Sequence, residues 1–71
     1  MQIKLTLADL REEVSRYYKE NKKLPKELIF GHEHFMYFIQ IFQDMGRIIP
    51  KDFDGVPYSK NNTIYGFYFK I

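Results

Sequence analysis

His32-Glu33-His34 is the part of this chain with the chemistry to hold a metal ion. On a strand, residues two apart point the same way and both imidazoles reach one ion. On a helix they diverge by about 200°. The segment opens a stretch with helical spacing, which argues against chelation. No cysteine and no further histidine supplies a third strong ligand, leaving only Glu33 or Asp44. The zincin pattern, two histidines four apart beside a glutamate, is absent. The plainer reading is a polar helix start with Glu33 near the positive end of the dipole. No metal and no cofactor is expected.

Acid–base and nucleophilic chemistry fare no better. Glu12-Glu13 are adjacent on a helical stretch and face different directions. Asp52 and Asp54 flank Phe53 and could converge in a loop, but Asp before Gly is above all turn chemistry. Ser15 and Ser59 lack a neighbouring histidine or a glycine-rich elbow. Gly31, Gly46, Gly55 and Gly66 are too widely spaced to cradle a phosphate. The expectation is a protein without catalytic residues, not an enzyme.

Two binding constellations remain. Lys19, Lys22, Lys23 and Lys26 form a basic cluster, and Tyr58, Tyr65 and Tyr68 beside Lys60 and Lys70 could add stacking faces and charge for nucleic acid. Interleaved Asp9, Glu12, Glu13, Glu20 and Glu27 weigh against it. Such mixing marks a solvated helix with i,i+4 pairs such as Glu12–Arg16. The second constellation is aromatic: seven Phe and six Tyr in 71 residues. A chain this short has too little interior for so many rings. Rings left outside mark a place where another molecule sits. Phe35, Phe38, Phe42, Phe67 and Phe69 read as core. Tyr37, Tyr58, Tyr65 and Tyr68, with Ile41, read as partner-binding, since tyrosine joins a large apolar body to a hydroxyl that tolerates water.

These residues must be carried by a few short elements. Thr6 is a helix N-cap, with Asp9 three residues on and Leu5 and Leu10 as a hydrophobic staple. Leu7, Leu10, Val14 and Tyr17 or Tyr18 follow at helical spacing, and Leu24-Pro25 ends the run, giving a helix over Leu7–Asn21. Glu27–Gly31 reads as a buried strand, and His32–Met45 as a second helix closed by Gly46. Ile48-Ile49-Pro50 is extended and Asp54-Gly55 a turn. Val56-Pro57-Tyr58 and Thr63–Ile71 read as two strands of a hairpin looped at Ser59–Asn62, with Pro57 favouring an edge. Thr63, Tyr65, Phe67, Phe69 and Ile71 would share one face. A short strand at Gln2–Leu5 would precede the first helix. The expected fold class is α+β: two helices packed on a small, mostly antiparallel sheet with a C-terminal hairpin, the whole forming one domain over residues 1–71.

Composition bounds the setting. The formal charge of +2 is mild, and without cysteine neither disulfides nor thiolate metal sites can staple the fold. Stability must come from aromatic packing, self-association or both. No apolar run nears the roughly 18 residues that cross a membrane, and the start lacks a signal-peptide core. The expectation is a soluble cytoplasmic protein that forms a homo-oligomer.

Phe53-Asp54-Gly55-Val56-Pro57-Tyr58, followed by Ile64-Tyr65-Gly66-Phe67, resembles the closing hairpin of short proteins encoded in tailed-bacteriophage genomes. Many of those also open with a charged helix like Leu7–Lys23, ending in a Leu-Pro such as Leu24-Pro25. The resemblance implies a phage product in the host cytoplasm, without intrinsic catalysis. Such a product is a virion assembly accessory or an inhibitor of a host defence complex. The expected function is therefore a protein-interaction module; the alternative is a nucleic-acid or nucleotide binder using the four lysines.

Overall fold

A computed structural model describes residues 5–71. Helix α1 (Leu7–Asn21) leads to strand β1 (Glu27–Phe30), helix α2 (His32–Asp44), strands β2 (Asp52–Phe53) and β3 (Val56–Lys60), and finally β4 (Phe67–Lys70). The strands form one sheet in the order β2-β3-β1-β4. Two of its three pairings are antiparallel, so the α+β class holds. The strand foreseen at Gln2–Leu5 lies, apart from Leu5, outside the described residues.

Local chemistry accounts for the helices. The Thr6 hydroxyl accepts the Asp9 amide at 3.1 Å, capping α1, and Leu5 and Leu10 are both buried in the core as a staple requires. Leu10 and Val14 face inward, and Tyr17 rather than Tyr18 completes the stripe by packing edge-on against Phe69. Lys22 ends the helix in the left-handed region at φ 61°, its amide bonded to the Tyr18 carbonyl. In α2, Phe38 and Phe42 are buried and Phe35 and Ile39 pack beside them. Gly46, at φ 66°, lies just past Met45, the residue that caps the helix.

β1 is the central strand. It pairs parallel with β3 (Leu28 opposite Tyr58) and antiparallel with β4 (Leu28 opposite Phe69). Parallel neighbours cannot be joined by a tight turn, and α2 supplies most of the crossover. Leu28 and Phe30, two apart, point to one face and join the core with Leu10, Val14, Phe38, Phe42, Phe53 and Val56. Both helices therefore cover the same face of the sheet. Ile29, Ser59 and Tyr68 lie side by side on the other.

The expected hairpin between Val56–Tyr58 and Thr63–Ile71 does not form, because β1 lies between β3 and β4. The hairpin that does form joins β2 to β3 through Asp54 (φ 51°) and Gly55 (φ 83°), a two-residue turn whose twist suits antiparallel strands. Pro57 is consequently not on an edge strand. It pairs with Asp52, and the ladder to β1 starts only at Tyr58, so its missing N–H costs no bond there. Ile48-Ile49-Pro50 joins no strand. Gly66, at φ 87°, breaks the alternation foreseen from Thr63, and β4 starts only at Phe67.

Residues 61–66 instead carry the chain across the end of β1. The Asn61 amide bonds to the Phe30 carbonyl and the Gly31 amide to the Gly66 carbonyl. The Asn61 side chain accepts from the Thr63 amide and hydroxyl, forming a local turn. The crossing is so close that a Cβ on Gly31 would stand 2.4 Å from the Ile64 carbonyl oxygen. Backbone, unlike a side-chain tip, has little room to give. Gly31→Ala is expected to lower the unfolding free energy by about 1–3 kcal/mol, read from the urea midpoint. It should also speed amide exchange in residues 61–66, and an unchanged midpoint would mean that the crossing does not constrain the fold.

Candidate functional site

The five residues expected to bind a partner are distributed over four parts of the molecule. Tyr37 lies on the outer side of α2, exposed, and Ile41, one turn on, is half-buried. Tyr65 is exposed in the crossing loop, its ring edge-on to His34 at 4.9 Å. Tyr68 is exposed on the sheet face that carries no helix.

Tyr58 is half-buried and packs against the core. Its ring packs against Phe30, Phe35 and Phe38, and its hydroxyl donates to the Pro50 carbonyl. The bond pins the irregular segment before β2 to the sheet. Burial, and secondarily the carboxylate of Asp52, pushes the Tyr58 hydroxyl above the usual tyrosine range.

Sequence reasoning missed one partly apolar concavity. His32, Glu33, Met36, Tyr37 and Gln40 line a shallow groove of about 360 Å³ along the outer side of α2. Met36 is 51% exposed and Tyr37 39%. These two supply its apolar floor, and the other three residues give it a polar rim. Met36 stands beside Tyr37 and four residues before Gln40, and that helical spacing was the available signal.

The basic residues divide into two sets. Arg16 contacts Glu12 at 3.6 Å and Glu13 at 3.0 Å, and Arg11 contacts Asp54 at 3.4 Å. All three are exposed pairs of small energetic weight. Lys19, Lys22, Lys23 and Lys26 are exposed and pair with no carboxylate among the described residues.

The residues weighed for chemistry are held apart. His32 and His34 sit on the first turn of α2, where their directions diverge. Asp54 turns toward Arg11 while Asp52 lies by Tyr58. Among the described residues, no three His, Cys, Asp or Glu side chains come together in a way that could hold a metal ion. Compared with protein-family models, with curated proteins and with solved structures, the chain matches none. Its described helices include none long and apolar enough to cross a membrane.

Tyr58 yields a pH prediction. The folded state holds its proton more tightly than the unfolded chain, whose tyrosines ionise near 10. Its contribution is whole below pH 10 and is lost as pH rises through the folded value, so stability should fall on the alkaline side. Tyrosinate absorbance should contain a late-titrating component that Tyr58→Phe removes. The same variant should cost about 0.5–1.5 kcal/mol at neutral pH.

Proposed function

We propose that this chain is a small, non-catalytic interaction protein that acts by occupying a surface of a larger protein or assembly, and that it self-associates. The observation that carries this reading is the α2 groove. An exposed methionine and tyrosine side by side, flanked along the helix by His32, Glu33 and Gln40, form the kind of surface that binding partners cover. Methionine adapts its shape and tyrosine brings area at low entropic cost. The core does not require either side chain to be outward. Phe35, Phe38, Ile39 and Phe42 already supply its packing from the same helix.

The phage resemblance supplies a setting. In it the protein works in the cytoplasm of an infected bacterium, as an inhibitor of a defence complex or an accessory to virion assembly. Both roles need a binding surface and no reaction, which fits a histidine pair that diverges and carboxylates that are held apart.

The test is capture from a bacterial host lysate with quantitative mass spectrometry, comparing the wild-type chain with Met36→Glu/Tyr37→Glu. Both positions face outward, so circular dichroism should show an unchanged fold. Enrichment of a specific host or virion protein is expected to drop at least about tenfold in the double variant, the scale of a lost hot spot. Wild-type capture no better than a control, or capture indifferent to the two charges, would refute the reading.

The four unpaired lysines favour nucleic acid as a second reading. Four phosphate contacts to single-stranded DNA would give a log–log salt slope of about −3. The interaction reading expects release from immobilised single-stranded DNA below about 0.15 M salt, where exposed charges are already screened. Sequence-independent binding that persists above it, and that is lost in Lys19→Glu/Lys22→Glu/Lys23→Glu, would favour the second reading.

A further inference from the structure

We infer that β4 is a self-pairing edge, on which a second copy of this chain adds its own β4 antiparallel, joining two sheets into one. The inference rests on the self-association in the reading above and gives it a place and a register.

The sheet has two edges, and they differ. β2 is two residues long, begins with the exposed Asp52 just after the exposed Lys51, and offers almost nothing to pair with. β4 is four residues of Phe67-Tyr68-Phe69-Lys70 and has a described neighbour on one side only. Its hydrogen-bonding phase follows from the crossing loop. Because the Gly31 amide donates to the Gly66 carbonyl at 2.7 Å, these two residues form a bonded pair. In an antiparallel ladder bonded and non-bonded pairs alternate. Tyr68 and Lys70 therefore turn their backbone groups to β1, opposite Ile29 and Glu27. Phe67 and Phe69 turn theirs away from the sheet, and no described residue bonds to them across that side. An edge whose two donors and two acceptors, spaced two residues apart, meet no partner among the described residues is a template for another strand.

What fits it best is the same strand. A two-fold axis through Tyr68 sets Phe67 against the second copy's Phe69, and Phe69 against its Phe67. Each of these is a bonded pair, so all four outward groups of each strand are satisfied. Tyr68 then faces Tyr68 in the non-bonded position, where side chains approach most closely. All three facing pairs are aromatic, the class of cross-strand pair that is favourable. Lys70, the one charge on the strand, falls opposite Gly66, so no like charges meet. The side chains on both faces are in place for this: Tyr68 is 47% exposed on the open face, and Phe67 and Phe69 are only half-buried on the other.

The interface is small, so the dimer should be a concentration-dependent one. Sedimentation velocity on the full chain should show monomer at about 1 µM and dimer at about 100 µM or above, a range suited to contacts of this size. Tyr68→Lys sets two lysines face to face and should weaken dimerisation at least about tenfold, whereas Tyr68→Phe should keep it. In the wild-type chain, hydrogen exchange at the Phe67 and Phe69 amides should slow as concentration rises, while the Tyr68 amide, bonded to β1, stays slow throughout. That readout needs no variant and stands even if Tyr68→Lys fails to fold. A monomer up to about 1 mM, or a dimer in which these two amides exchange no more slowly, would overturn the inference. So would protection of both amides in the monomer, which would mean another part of the chain fills the edge. Partner capture through Met36 and Tyr37 would survive any of these outcomes; a strict monomer would remove self-association from the reading above, whereas a dimer without slowed Phe67 and Phe69 amides would remove only its placing at β4.

Discussion

The ring of Phe30 holds the two halves of this fold together. It lies at the end of the central strand, fully buried, and touches Phe35 and Phe38 of α2, Tyr58 of β3 and Phe67 of β4. One side chain thus contacts a helix and both neighbouring strands. Its backbone is used as fully, since its carbonyl accepts the Asn61 amide just before the chain crosses over Gly31. The crossing can be that close only because the next residue has no Cβ. Buried rings in edge and tilted contact at 4.8–6.3 Å from Phe30 take the part that disulfides play in other small domains. Removing Phe30 would take away the common neighbour of three elements at once.

What the sequence made legible was local. Thr6, Leu5 and Leu10 mark the start of α1 because capping is chemistry within one turn. Asp54-Gly55 marks a hairpin because positive φ at both turn positions demands such residues. The fold class follows from the order of such elements. The strand order does not, because Ser59–Asn62 is equally good as a hairpin loop and as the start of a crossing. The choice is made by β1, some thirty residues upstream, which offers partners on both sides. Gly66 carried a readable signal of interrupted alternation, and Gly31 one of close approach, but neither names the segment that approaches.

The candidate site was legible in composition more than in position. Tyrosine and phenylalanine do separate: Tyr18, Tyr37, Tyr65 and Tyr68 are exposed, while Phe30, Phe38, Phe42 and Phe53 are buried. A hydroxyl that needs water or a partner explains the division, and Tyr58 is instructive because it found a partner inside, at Pro50. That partner lies eight residues upstream in a segment without regular structure, beyond what strand alternation can foresee. The exposed rings form no single patch. They split between the outer side of α2, the crossing loop and the open sheet face.

That split has a mechanical consequence. α2 packs over β1 and β3, away from the edge where β4 ends the sheet. A strand added beside β4 extends the sheet sideways and leaves the groove at Met36 and Tyr37 uncovered. A pair formed this way therefore carries two identical grooves related by a two-fold axis. Against a target that repeats, as the subunits of a ring or shell do, the second groove of the proposed pair would bind at the effective concentration set by the first, and modest single contacts would become a firm grip without any new residue. Against a target with one site, pairing adds nothing. On the proposed pairing, the groove and the edge together would select for repeating surfaces, and this selectivity would reside in the geometry of the pair rather than in either patch of side chains.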